Sequence, residues 1–366
     1  MRLLIDGVAF ENDHQRGVQR YFRELLTRVS KLYPVDIFMS SPIKAEMPVG
    51  CSVTFRRERF GSHKLNIPLR AFRKLKRRIA PTGFSGHTLF HSSFFTRSPE
   101  PGLPELLTVY DMIPERFDSR FHAWGQGHID KKRNCMEAAR RIVCISHATA
   151  DDVARIYPHL APKLCVVHLG ADHFVNGKVE QSPAPMNGSA SYLLQVGDRH
   201  SYKNFSVVLL AMTEPAWPKD LHVTVAGPPP AKEELESVRK LNLISRVKFV
   251  GRVSEKELPD LYRKSVGFVF PSLCEGFGFP LLEAQSMGTP VICSDIAAFR
   301  ETAGGATLYF DPENPASLAA KAVELMNGAA VGNREAGLKN ISRFRWDECA
   351  KLTLDIYRSL SKEVAA

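Results

Sequence analysis

The sequence predicts an α/β protein made of two doubly wound parallel sheets that face each other across a cleft. Three observations carry this expectation. Short apolar runs alternate with amphipathic helical stretches along the whole chain, the pattern of βα units and mostly parallel sheets. The chain has 366 residues, too many for one ordinary core and comfortable for two domains of roughly 150–200 residues. A polar stretch rich in Gly, Pro and Ser, "ADHFVNGKVEQSPAPMNGSAS" at 171–191, separates the two sets of runs and reads as a linker.

Taken in order, the strand-like runs of the first half are "RLLID" (2–6), "TLFH" (88–91), "ELLTVY" (105–110), "RIVCI" (141–145) and "LCVVH" (164–168). Those of the second half are "YLLQV" (192–196), "LHVTVAG" (221–227), "RVKFV" (246–250), "VGFVF" (266–270) and "PVICS" (290–294). Helical spacing appears at 18–32, 203–212, 231–241 and 316–327. The expected domains are 1–170 and 191–345, joined by 171–190. The helix 346–362, part of a terminal segment 346–366, carries Trp346, Cys349, Leu352, Ile356 and Leu360 on one face, which must pack on something.

Apolar content of 44% and charged content of 24% are those of a soluble globular protein. The opening "MRLLIDGVAFEND" reaches Asp6 after a short apolar run, which reads as neither signal peptide nor span. Seven scattered cysteines without a Cys-x-x-Cys spacing argue for a reducing cytoplasm over a disulfide framework or zinc site. Cys144 and Cys293 read as core residues.

The net charge of +10 is concentrated. Residues 56–78 hold ten Lys/Arg against one acid, Glu58, with Leu69, Phe72, Leu75 and Ile79 at helical spacing. A solvated helix and a basic amphipathic helix on an anionic bilayer both fit this segment, 56–80. No nucleic-acid motif accompanies the charge, so nucleic acid is not an expected partner.

The chemistry concentrates in "PSLCEGFGFPLLEAQ", 271–285, where Glu275 and Glu283 lie eight positions apart. An acid/base pair, a metal site, two ligand-binding arms, or a loop and a helix cap would each suit two carboxylates so placed. Gly276 and Gly278 allow a tight turn and close approach to a ligand. Pro280 suits a helix start, whose free N–H groups favour an anion. Arg199 and Lys203 follow the run 192–196 at a strand-to-helix turn, where convergent cations stabilise phosphate.

"PSLCEGFGFPLLEAQSMGTPVICSD" resembles the Glu-x7-Glu signature of the retaining family 4 glycosyltransferases. "RVKFVGRVSEKELPDLYRKS" resembles the segment leading into that signature, and "VGDRHSYKNF" the Gly-x-Arg-x-x-x-Lys-Asn strand end. "ISHATADDV", "VVHLGAD" and "LLTVYDMIP" are similar to segments of bacterial mannosyltransferase-like members. The resemblance implies the GT-B fold, two Rossmann-like domains with the final helix crossing back to the first. It implies that Glu275, with Gly276, Phe277 and Gly278, touches the donor sugar, and that Glu283 holds the ribose. Arg199 and Lys203 would bind the diphosphate, Val253 would line the base pocket and Gly17 would approach the phosphates. On the acceptor side it implies His91, also placed near the donor sugar, with Tyr110 and Asp111; Tyr110 stands where relatives carry histidine. Glu301 reads as structural. The resemblance implies a nucleotide-sugar donor and a glycan or lipid-linked acceptor, and because no Asp-x-Asp is present no metal or other cofactor is expected.

Overall fold

The structure, a computed structural model, describes residues 1–11, 16–55, 86–117, 125–172, 191–199, 201–254, 256–305 and 307–365. The basic segment 56–80 and most of the expected linker, 173–190, lie outside the described residues.

Two parallel sheets organise the chain. The first contains β1 (Leu3–Asp6), β2 (Val35–Met39), β3 (Ser52–Phe55), β4 (Leu89–Ser92), β5 (Glu105–Val109), β6 (Arg141–Cys144) and β7 (Leu164–Val166), in the order β3-β2-β1-β4-β5-β6-β7. The second contains β8 (Tyr192–Val196), β9 (His222–Ala226), β10 (Val247–Gly251), β11 (Gly267–Phe270), β12 (Val291–Ser294) and β13 (Leu308–Phe310), in the order β10-β9-β8-β11-β12-β13. Burial explains their composition. The strands β1, β4, β5, β11 and β12 are buried throughout, as a sheet covered on both faces requires. Cys144 in β6 and Cys293 in β12 are fully buried.

In each sheet the strand order reverses beside the first strand, between β1 and β4 and between β8 and β11. Ligands of doubly wound folds bind beyond the carboxyl ends at such switch points. One apolar cluster joins the two sheets, running from Leu3 and Ile5 through Phe277, Phe344 and Trp346 to Phe268 and Val291.

The helix Trp346–Ala365 returns to the first sheet, where it packs on the helix Arg16–Val29 and on β4. Arg28 reaches Asp347 at 2.7 Å and Arg141 reaches Glu363 at 2.7 Å. Its buried stripe is Trp346, Cys349, Ala350, Thr353, Tyr357 and Leu360. Leu352, expected on that face, is 40% exposed because the stripe advances through Thr353 instead.

Candidate functional site

The candidate site is built on the ends of β8 and β11 and on the first helix of the other sheet. After β11 the loop 271–278 turns into the helix Phe279–Ser286 through Gly278, whose φ of +109° lies in the region that glycine enters without strain. A Cβ on Gly276 would lie 1.7 Å from the Tyr110 carbonyl oxygen. Only glycine permits that approach between the two domains.

Glu275 is held by two donors at one oxygen. Its Oε1 accepts from the Lys203 ammonium at 2.6 Å and from the Ser272 hydroxyl at 2.7 Å. Burial alone would lower the Lys203 ammonium, but the Glu275 carboxylate outweighs it and holds Lys203 above its usual range. Tyr202, beside them, is pushed up to about 12 by burial. Among the described residues, the N–H groups of Gly276, Phe277 and Gly278 meet no acceptor.

Glu283 lies in the helix Phe279–Ser286, with Oε2 receiving the Tyr262 hydroxyl at 3.2 Å and Oε1 3.6 Å from Arg20 of the other domain. Tyr262 is buried, and its phenol is held far above the usual range by burial and then by Glu283. Among the described residues, Glu275 and Glu283 therefore have separate partners: a lysine and a serine for one, a tyrosine and an arginine for the other. That arrangement fits two binding arms better than one proton-transferring pair.

A cavity of about 370 Å³ opens in the second domain, lined by Val196, Gly197, Ala226, Gly227, Arg252 and Val253, with Gly17 from the first domain among its other walls. It sits at the carboxyl ends of β8, β9 and β10, and its size falls within the roughly 300–1,000 Å³ of small-molecule sites. Val253 also lines an adjoining cavity of about 340 Å³ with Gln19, Arg20 and Arg23.

Four of the expected site residues are engaged within the protein itself. Arg199 does not converge with Lys203: its guanidinium forms a bidentate pair with Glu234 at 2.6 and 3.0 Å and donates to the Pro228 carbonyl at 2.9 Å. It is 4% exposed and stacks over Phe249, 5.3 Å from the ring centre, so it braces the cavity wall. His91 is fully buried, with Nδ1 2.7 Å from the Tyr357 hydroxyl and Nε2 2.9 Å from Thr108 Oγ1. Burial pushes its imidazole down to about 3. Both nitrogens are occupied and neither reaches the cleft. Tyr110 donates its hydroxyl to the Ser93 carbonyl at 2.7 Å, so its backbone, and not its side chain, meets the site. Asp111 stands against Gly276 while its carboxylate accepts the Ile113 N–H at 3.0 Å.

Residues 15–173 match the family described as Glycosyltransferase Family 4, and residues 190–328 match that described as Glycosyl transferases group 1. Together the two matches span most of the chain. The chain belongs to the family 4 glycosyltransferases.

Among similar proteins, an O-antigen chain mannosyltransferase of Escherichia coli is 25% identical over 240 residues, 62% of each chain. One from Salmonella typhimurium is 28% identical over 217 residues, 58% of each chain. The chain thus spans about three fifths of the length of these curated relatives. Sucrose-phosphate synthase from Thermosynechococcus elongatus shares the fold, with a TM-score of 0.72, 18% identity, and coverage of 98% of this chain and 99% of that one.

Against this family 4 frame, sequence reading missed Tyr262, Arg20, Ser272 and Ser146. Tyr262 and Arg20 stand at helical spacing in ordinary amphipathic stretches. Only the fold brings them to Glu283. Glu301 caps the other domain, accepting the N–H groups of His147 at 2.7 Å and Ala148 at 2.9 Å. His147, His168 and Glu301 place ligand-type atoms within 4.8 Å of one another. The Glu301 oxygens there are already taken by these two N–H groups and by the His168 ring at 2.5 Å.

Proposed function

We propose that the chain is a retaining hexosyltransferase. Its donor is a nucleotide sugar, with GDP-mannose the favoured one, and its acceptor is a glycan or lipid-linked sugar of bacterial surface polysaccharide synthesis. The observation that carries this reading is the cavity at the ends of β8–β10, walled also by Gly17 and sharing Val253 with a second cavity whose Arg20 lies 3.6 Å from Glu283. The curated relatives named as mannosyltransferases support the choice of mannose.

In this reading the base lies against Val253, Glu283 holds the ribose, Lys203 meets the diphosphate and Glu275 holds the sugar. Negative charge grows on the departing diphosphate, and a fixed ammonium beside it lowers the barrier. Glu275 is paired with Lys203 and does not serve as a nucleophile. The acceptor hydroxyl enters on the leaving-group side, and the departing phosphate oxygen takes its proton. Alignment in a closed cleft supplies much of the remaining acceleration. We propose no metal requirement, because the Lys203 ammonium supports the leaving group.

A thermal-shift panel of GDP-, UDP-, dTDP- and ADP-sugars, with and without EDTA, tests the donor. The bound sugar nucleotide raises the melting temperature, GDP-mannose most, and EDTA changes nothing. A chain that responds to none of them refutes the reading. NMR of the product tests the stereochemistry, and an inverted anomer would sink the front-face step. The segment 56–78 supplies an anionic-membrane contact for a lipid-linked acceptor. Neutralising Lys74, Lys76, Arg77 and Arg78 should then release the chain from anionic liposomes, and undiminished binding would contradict it.

A further inference from the structure

The helix His147–Ile156 of the first domain points its N-terminus at the second domain, between the loop 271–278 and the helix Ala297–Ala303. Two sets of hydrogen bonds fasten it there. Ser146 caps the helix by accepting the Thr149 N–H at 3.0 Å, while its hydroxyl lies 2.6 Å from the Gly276 carbonyl. Thr149 Oγ1 approaches the same carbonyl at 3.3 Å. On the other side Glu301 takes the N–H groups of His147 and Ala148 and meets the His168 ring. First-turn N–H groups of one domain are thus satisfied by a carboxylate of the other. Burial lowers the tendency of Glu301 to ionise, and the His168 and backbone hydrogen bonds outweigh it, keeping the carboxylate charged.

The contact does not stop at the interface. Gly276 follows Glu275, and its Cα is wedged against the Tyr110 carbonyl so closely that no side chain fits. The Gly276 carbonyl belongs to the peptide that carries the Phe277 N–H, so fixing it from Ser146 fixes that N–H and the backbone leading out of Glu275. Ser146 itself is fully buried, so water does not replace the bond when domains are together.

We propose that Ser146 and Glu301 are positioning residues. They hold the loop of Glu275 and Gly276 in register when the domains close, so the sugar is gripped only in the closed state. This rests on the donor-site reading above. Neither side chain touches the donor; Ser146 acts through the Gly276 peptide, and Glu301 through the first turn of the helix that Ser146 caps.

The test compares the full-length chain with S146A and E301Q by calorimetric titration with GDP and with GDP-mannose, and with UDP and UDP-glucose as a second pair. The ratio of the two dissociation constants in a pair isolates the sugar's contribution. In both variants the nucleoside diphosphate should bind as in the parent, and the sugar nucleotide should weaken by about five- to tenfold, the loss of one buried hydrogen bond. S146T, which keeps a hydroxyl and still caps a helix, should restore the ratio. A parent chain that binds neither pair overturns the donor-site reading and this proposal together. A parent chain that binds a pair, with the ratio unmoved in both S146A and E301Q, overturns the positioning role alone.

Discussion

Lys203 and Glu275 form an ion pair, Nζ to Oε1 2.6 Å, that ties the segment after β8 to the loop after β11. These are the two strands between which the second sheet reverses its order. The pair sits where the topology makes a crevice, with cation and carboxylate already oriented, so little reorganisation is required when charge develops there.

Lys203→Met should therefore weaken GDP by about ten- to a hundredfold, the loss of a charge-assisted hydrogen bond. Glu275→Gln should leave GDP binding intact and weaken GDP-mannose. Calorimetry on the two variants separates the roles. If both lost GDP equally, the assignment of Glu275 to the sugar would be wrong.

Glu283 should discriminate ribose from deoxyribose. Its two oxygens are directed by Tyr262 and Arg20, and the ribose hydroxyls are the donors it would accept. The parent chain should prefer GDP over 2′-deoxy-GDP by about tenfold, and Glu283→Gln should shrink that preference. Tyr262→Phe should lower GDP affinity less, because it removes a partner of Glu283 and not the acceptor. An unchanged preference in Glu283→Gln contradicts the ribose role.

Arg199 should matter to stability before any ligand is added. Its bidentate pair with Glu234 is nearly inaccessible on the arginine side, 1%, and 12% exposed on the other. Arg199→Met leaves that carboxylate without its partner and should cost about 3–5 kcal/mol in urea unfolding. Adding Glu234→Leu should recover much of the loss. A phosphate ligand without a structural role would give an unchanged unfolding midpoint.

The fold was legible where a strand reads as an uninterrupted apolar run. β8 coincides with its apolar run, and β4, β5, β11 and β12 differ from theirs by a residue or two, because strands buried on both faces read as continuous apolar runs. Three strands escaped. β2 is interrupted by Asp36, whose carboxylate is met by Arg2 at 2.7 Å and by His87 at 2.8 Å. β3 is an exposed edge strand, and β13 has only three residues. At the site, Glu275, Lys203 and Glu283 were legible because glycine, proline and carboxylate fall at meaningful spacing on one loop and helix. The Glu234 partner of Arg199 was not legible in this way. Sequence places Arg199 beside Lys203, but its partner Glu234 comes from a helix 35 positions away. No local pattern reveals such a pairing.

His91 gives a pH signature that follows from its burial. Its folded imidazole is pushed down to about 3, against about 6.5 in an unfolded chain. As pH falls, the unfolded state binds the proton first. The stability is therefore fully present above about pH 6.5 and is lost progressively as pH falls toward about 3. The slope in that window approaches about 1.4 kcal/mol per pH unit for this one group. His91→Gln, which can still hydrogen-bond Tyr357 or Thr108, should be less stable at neutral pH but flatter between about pH 6.5 and 4.5, above the main carboxylate range. Urea unfolding of both proteins across that interval measures the difference directly. Parallel curves would mean that His91 is protonated in the folded chain and exchanges with solvent, reopening a role for it in the cleft.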